Sequence, residues 1–382
     1  MSVWTGIGLL ALAIWLYLVL ARGGFWLARE RDDDVLAAPA RWPAVVAVVP
    51  ARNEADVIAR SIGSLLRQDY PGPFRVVLVD DGSSDGTAAV VKALDGGRRL
   101  DVVSGTELPA GWTGKLWALE QGIRHADAHG DAVDYFLLTD ADIGHAPDNL
   151  STLVARAEHD GRVQVSLMAK LSCATWAERF LIPAFVYFFQ MLYPFGWVAR
   201  RDRKTAAAAG GCTLVRRDAM ARAGGIAAIR SEIIDDCALA RRLKGQGPIW
   251  LGLTQRATSL RPYGGFLEIG RMISRSAYAQ LGYSPLVLAG TIASMVVVYV
   301  VPPLLALLHD GPARWLGLCA WLVMALTFQP MLRFYRQSPL WGLALPAIGA
   351  VYVFFTVQSA IDCWRGRGGL WKGRTQAMAG DA

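Results

Sequence analysis

The alternation of apolar and polar residues divides the chain into three kinds of sequence. From Met1 to Ala21 no residue carries a charge, which is long enough for a helix to cross a bilayer. After Arg275 the charge disappears again in three runs, Ser276 to Leu308, Trp315 to Leu332 and Gln337 to Ile361. Each has membrane-spanning length, and the Pro302-Pro303 pair predicts a kink in the first. Between these regions, short β-branched runs alternate with helical stretches such as Ala55 to Arg67. The runs Val45 to Val49, Val76 to Val79, Val102 to Val103, Tyr135 to Leu138 and Val163 to Leu167 predict an α/β fold, a mostly parallel sheet covered by helices.

The expected organisation is an N-terminal anchor at 1–21, a linker at 22–43, an α/β domain at 44–275, a membrane region at 276–362 and a basic tail at 363–382. A further uncharged stretch, Phe180 to Ala199, is interrupted by Pro183, Gln190 and Pro194. A crossing there would separate the acids on either side of it, so we expect a helix pair in the membrane interface, where Tyr187, Tyr193 and Trp197 are at home. A buried core helix is the alternative.

Composition supports this division. Of 382 residues 53% are hydrophobic and 19% charged, and the mean hydropathy is +0.30. That is more apolar surface than soluble cores absorb, so a disordered or wholly soluble protein is excluded. Arg22, Arg29 and Arg31 follow the first run and place its C-terminal end, with the α/β domain, in the cytoplasm at the inner membrane. Three later crossings would leave Arg365, Arg367, Lys372 and Arg374 outside, against the same rule, so one run is expected to be re-entrant or interfacial. Cys173, Cys212, Cys237, Cys319 and Cys363 show neither metal spacing nor a disulfide framework. The net charge of +7 is spread along the chain without a nucleic-acid recognition motif.

Candidate chemistry lies where the apolar runs end. The first leads into Pro50, Ala51, Arg52, Asn53 and Glu54, the second into Asp80, Asp81, Gly82 and Ser83, the fourth into Asp140, Ala141 and Asp142. Ligands of α/β sheets bind at the carboxyl ends of strands. Carboxylates gathered there need a cation, donors or protons for compensation. An Asp-x-Asp triplet arises about once by chance in a chain of this length, and Asp32 and Asp34 form such a copy in the linker, with no strand before them and no assigned function. Asp140 and Asp142 follow a strand and suit a hard divalent cation that also takes phosphate oxygens.

Downstream, Glu232, Asp235 and Asp236 precede an apolar helical pattern. One acid serves the helix start, and a second is free to act as a general base. Gly210 and Gly211 suggest close backbone approach to a ligand. Gly111 to Lys115 has the wrong glycine spacing for a phosphate loop, and Leu116 stands where a hydroxyl residue would hold magnesium. Lys115 can still meet a diphosphate as a point charge. His125 and His129 lie one helical turn apart with no third ligand near, which reads as a solvated helix end rather than zinc.

Taken in order, Pro50 to Glu54, Asp80-Asp81-Gly82-Ser83, Lys115 with Ala118 and Leu119, Asp140-Ala141-Asp142 and the acidic pair ahead of Leu239 and Arg242 resemble the family 2 glycosyltransferases, inverting enzymes of GT-A fold. The resemblance covers roughly residues 44 to 275. It implies that Asp80 and Asp81, supported by Glu54, bind the nucleoside of a nucleotide sugar, most often a UDP-sugar. Asp140 would lie near the ribose, and Asp142, with Asp140, would hold Mn²⁺ or Mg²⁺ on the diphosphate. Asp236 or Asp235 would be the base that deprotonates the acceptor. The Gln-x-x-Arg-Trp motif of processive members is missing, since Arg271, Met272, Ile273, Ser274, Arg275 and Ser276 occupy its place. Arg271 and Arg275 could still grip the diphosphate or, equally, lipid phosphates.

The layout, with Gly111-Trp112-Thr113-Gly114-Lys115 and Trp371-Lys372-Gly373-Arg374, is most similar to bacterial hopanoid-biosynthesis-associated glycosyltransferases, which implies a membrane lipid acceptor. The missing processive motif also permits a second interpretation, a non-catalytic membrane scaffold that retains a nucleotide-binding fold.

Overall fold

The computed structural model describes residues 2–94, 97–128, 133–366, 370–371 and 374–375. His129, Arg367, Lys372 and most of the tail from 367 onward lie outside the described residues. The chain forms two compact units. One contains Met1–Arg29, Cys173–Gly196 and Tyr263–Gly368, the other Glu30–Ser172, Trp197–Pro262 and Gly369–Ala382. The stretch 44–275 is therefore shared between them, with residues 173–196 and 263–275 in the helical unit.

Among the described residues, four helices of the helical unit are long and apolar enough to cross a membrane: Val3–Ala21, Pro285–Leu308, Pro312–Phe334 and Pro339–Trp364. Just before the Pro302-Pro303 pair, where the sequence predicts a kink, the helix carries a π-helical segment, Val296–Val300. Pro302 has no N–H for the carbonyl four residues earlier, and the indole of Trp15 donates to that carbonyl, Val298 O, at 2.9 Å.

The stretch 180–199 does form a helix pair, Trp176–Leu192 and Phe195–Ala199. Its first helix starts in a reciprocal cap between Thr175 and Glu178. Glu178 also accepts from the backbone N–H of Tyr263 at 3.0 Å, and Arg22 donates to the carbonyls of Met191 and Leu192 at the other end. Tyr187 is fully buried and bonded to Thr327 at 2.8 Å, so this helix packs among the other helices of its unit.

The α/β unit is built on one eight-stranded sheet in the order β3-β2-β1-β4-β7-β6-β8-β5. The strands are β1 (Val45–Ala51), β2 (Phe74–Asp80), β3 (Leu100–Ser104), β4 (Tyr135–Thr139), β5 (Ile143–His145), β6 (Gln164–Lys170), β7 (Cys212–Arg216) and β8 (Ile249–Ser259). β1 is parallel to β2 and β4, β2 to β3, and β6 to β8. β1 is buried along its whole length, as expected of a strand covered on both faces. β7 runs antiparallel between β4 and β6, with Cys212 opposite Thr139. That reversal carries Gly210 and Gly211 to the edge where β4 ends.

The linker is also built into this unit. Leu253 N donates to Glu30 O at 2.9 Å, and Asp32 N to Leu253 O at 3.2 Å. Asp32 is buried, accepts from Thr254 Oγ1 and faces Arg256, while Asp34 pairs with Arg156 at 3.0 Å. These two acids, read from the sequence as without a role, fasten the linker to the sheet edge.

Candidate active site

The parallel register sets β1, β2 and β4 so that their carboxyl ends share one edge, Ala51 opposite Asp80 and Val48 opposite Leu138. The loops after β1 and β2 are stitched together. Asn53 adopts a left-handed conformation, its N–H donates to Ser83 Oγ at 3.0 Å, and its side-chain oxygen accepts from Ser84 N at 2.9 Å. Glu54 N donates to Thr87 Oγ1 at 2.8 Å. Arg52 reaches the backbone oxygen of Asp81 and stands 3.7 Å from its carboxylate. Asp81 is buried, whereas Asp80 at the strand end is half-buried and more open.

Thr139, the last residue of β4, donates to Gly211 O at 2.8 Å and contacts His145 Nε2 at 3.1 Å. Asn149 lies 3.0 Å from His145 Nδ1. Burial pushes the His145 pKa down to about 4, so the ring is neutral: Nδ1 accepts from Asn149 and Nε2–H donates to Thr139. The strand end that presents Asp140 is thereby anchored.

Lys115 opens the helix Gly114–Ala128, which presses on β1 at Gly122: a Cβ there would fall 2.4 Å from Val48 Cγ1. The ammonium of Lys115 lies 2.9 Å from Asp140 Oδ1 and 3.3 Å from Asp235 Oδ2. Burial opposes its charge, but Asp140 and Asp235 outweigh that and raise its pKa above the usual lysine range. Gly210 permits the approach, because a Cβ would sit 3.1 Å from Lys115 Nζ. The close approach expected at this glycine is made to a side chain of the site. Gly210 N also donates to Asp236 Oδ2 at 3.0 Å.

Asp235 and Asp236 begin the helix Asp235–Lys244. Asp236 Oδ1 accepts from Cys237 N at 2.7 Å. Burial and the neighbouring Asp235 nonetheless push its pKa up to about 6, against the pull of Lys115. Lys115, Asp140, Gly210, Asp235, Asp236 and Gln164 line one small cavity of about 30 Å³. Glu232 is exposed.

On the other side of Asp140, Asp142 is pushed up to about 6 by burial, then by Asp140 and Glu54. Arg261, which no local pattern singles out, binds Glu54 and lies 3.0 Å from Asp56; it partly offsets these acids. A carboxylate raised in this way is short of positive charge, and its oxygens suit a hard cation. Among the described residues no group of three or more His, Cys, Asp or Glu could hold a metal. Two carboxylates, Asp140 and Asp142, are the kind of oxygen donors that a hard divalent ion takes together with phosphate and water.

Arg271 and Arg275 are exposed on the helix Phe266–Gln280, in the helical unit. His125 faces Asp101 at 3.4 Å.

The sheet order and the acids at its carboxyl edge define a GT-A-like glycosyltransferase fold. Residues 46–224 match the family model "Glycosyl transferase family 2". A 4,4'-diaponeurosporenoate glycosyltransferase of Staphylococcus aureus is 32% identical over 119 residues, 31% of this chain and 29% of the relative. An N-acetylglucosaminyltransferase of Mesorhizobium japonicum is 30% identical over 192 residues, 47% of this chain and 41% of the relative. The chain thus spans less than half the length of these curated relatives. The solved structure of a mannosyltransferase from Pyrobaculum calidifontis, in complex with GDP-Man and Mn²⁺, shares the fold with a TM-score of 0.56. It is 20% identical, and the match covers 94% of this chain and 99% of that one.

Proposed function

We propose that this chain is an inverting glycosyltransferase of the inner membrane that moves a sugar from a nucleotide sugar, a UDP-sugar, to the hydroxyl of a membrane lipid. The observation that carries this is the placement of Lys115 between Asp140 on one side and the Asp235-Asp236 pair on the other. This arrangement supports a donor site and a base next to each other at one sheet edge.

In this assignment Asp80, Asp81 and Glu54 form the nucleoside end of the site, and Asp140 and Asp142 hold the cation. When bound, a divalent ion supplies charge compensation for the leaving diphosphate. Asp236 is the base. Its raised pKa suits proton uptake near neutral pH, and its two backbone donors fix the carboxylate. Asp235 is the partner that holds Lys115. The acceptor oxygen forms a bond to the anomeric carbon as the bond to the diphosphate oxygen breaks. The leaving group departs with that electron pair, and the hydroxyl proton passes to Asp236. One displacement of this kind inverts the centre, and no covalent intermediate on the protein is required.

The lipid acceptor is supported by four apolar helices of spanning length and by a relative named for diaponeurosporenoate; a hopanoid or related isoprenoid lipid is the class we favour. Arg22, Arg29 and Arg31 after the first helix support a cytoplasmic catalytic unit. Incubating membranes that contain the chain with labelled UDP-sugars, and identifying the labelled lipid by mass spectrometry, tests the proposal. A labelled lipid absent from membranes with Asp236→Asn is expected. Labelling only of water-soluble products would refute the acceptor class.

A further inference from the structure

The loop Arg200–Lys204 has so far no part in the site. It follows directly on the helix Phe195–Ala199, and its five residues, Arg-Arg-Asp-Arg-Lys, are all exposed. Asp202 is satisfied by Arg200 at 2.6 Å, which leaves Arg201, Arg203 and Lys204 without an ion pair among the described residues. Arg203 lies over the ring of Trp197 at 5.1 Å, so one cation is held against an aromatic of the preceding helix.

The base of the loop is fixed from behind. Lys244 Nζ donates to Trp197 O at 3.2 Å, to Val198 O at 2.9 Å and to Thr205 O. Arg162 donates to Ala199 O at 3.0 Å. The helix end and the far end of the loop are thus tied by two half-buried cations. Beside them opens a groove of about 390 Å³, lined by Gly161, Arg200, Arg201, Arg216, Lys244 and Gln246. The lining also holds Gly245 and Gly247, so three glycines beside these cations leave room for a small anionic group.

We propose that this loop and groove bind the headgroup of an anionic phospholipid. The chain argues for this source of phosphate. Gly196, four residues before the loop, is the last residue of its segment in the unit that holds the membrane-spanning helices, and Tyr193 and Trp197 are residues typical of the interface. Clusters of Lys and Arg next to a membrane segment attract anionic lipid. Each cation favours an anionic surface by roughly five-fold, so the three unpaired ones together give on the order of a hundred-fold.

The full chain, purified in mild detergent, is offered equal amounts of phosphatidylglycerol and phosphatidylcholine, and retained lipid is counted by native mass spectrometry. The expected result is a preference for phosphatidylglycerol of at least ~10-fold, largely lost in R201Q/R203Q/K204Q. A control, R98Q/R99Q, removes two exposed cations elsewhere on the unit and keeps the preference. All three altered loop residues are exposed, and an unchanged melting temperature confirms that the variant is folded. Retention unchanged in the loop variant, or equally reduced in the control, would overturn the proposal. So would displacement of the lipid by millimolar glycerol phosphate, which would make the site one for a soluble anion.

Discussion

Replacing Lys115 by Met keeps most of the side-chain volume and removes an ammonium that faces Asp140, Asp235 and Asp236 together. The two pairs at 2.9 and 3.3 Å each carry a gross attraction of about 5 kcal/mol at an effective dielectric of ~20. Desolvation of the ammonium cancels much of this, and Asp140 is 36% exposed at its side chain, which screens its share. Breaking a buried pair costs about 3–5 kcal/mol because a charge is left uncompensated, and the exposure of Asp140 puts this case near ~3. For a unit of this size that lowers Tm by roughly 6–12 °C.

The pH dependence gives the sharper test. In the wild type the raised Lys115 pKa contributes stability that is fully present below the unfolded lysine pKa and lost only as pH rises through the still higher folded value. The wild type therefore shows no loss from Lys115 between pH 5 and 8. In Lys115→Met the unpaired carboxylates repel each other at pH 8 and are relieved by protonation toward pH 5, since Asp236 already stands at about 6. Differential scanning fluorimetry of the purified chain should show a deficit at pH 8 that shrinks at pH 5, with part of it recovered in Lys115→Met/Asp235→Asn. A deficit below ~2 °C at pH 8, or one that grows on acidification, would refute the charge arrangement.

Three further predictions follow from the same geometry. With donor saturating, kcat should fall about ten-fold per pH unit below about 6, as Asp236 takes up its proton; a flat profile from pH 7 to 5 would remove Asp236 from the role of base. Chelation should abolish transfer, and Asp142→Ala should lower it by at least ~100-fold at any concentration of Mn²⁺ or Mg²⁺, read as nucleoside diphosphate released. Gly122→Ala should cost about 1–3 kcal/mol through overpacking against Val48, and Val48→Ala in the same chain should recover part of the loss in Tm.

The strand-end acids legible in the sequence share one property: each follows a buried strand that shows as an unbroken apolar run with acids behind it, while Lys115, Asp235 and Asp236 stand at helix starts. β1, β2 and β4 announced Glu54, Asp80 and Asp140 in this way. β7 gives no such signal, because its five residues, Cys212–Arg216, follow two glycines and run opposite to their neighbours. Its reversal is what brings Gly210 beside Lys115. Arg261 reaches Glu54 from 207 positions away, and only the closing of β8 on β5 and β6 makes the two neighbours. Asp32 and Asp34 show the converse. Their spacing copies that of the site, but a bridge between Arg31 and Leu253, invisible in local pattern, turns them into fasteners of the linker. The helix Trp176–Leu192 illustrates a limit of hydropathy: 17 mostly apolar residues serve equally a surface or an interior, and the choice is made by partners such as Thr327 and Arg22.

The measurement that bears most directly on the proposed reaction is the stereochemistry of its product. The purified chain is given an α-linked UDP-sugar, divalent cation and a lipid extract, and the new glycolipid is examined by NMR alongside the release of UDP. A β-linked product formed one for one with UDP, and reduced by about 10²–10⁴-fold in Asp236→Asn, is the predicted result. An α-linked product, or transfer undiminished in Asp236→Asn, would contradict a single displacement driven by that carboxylate.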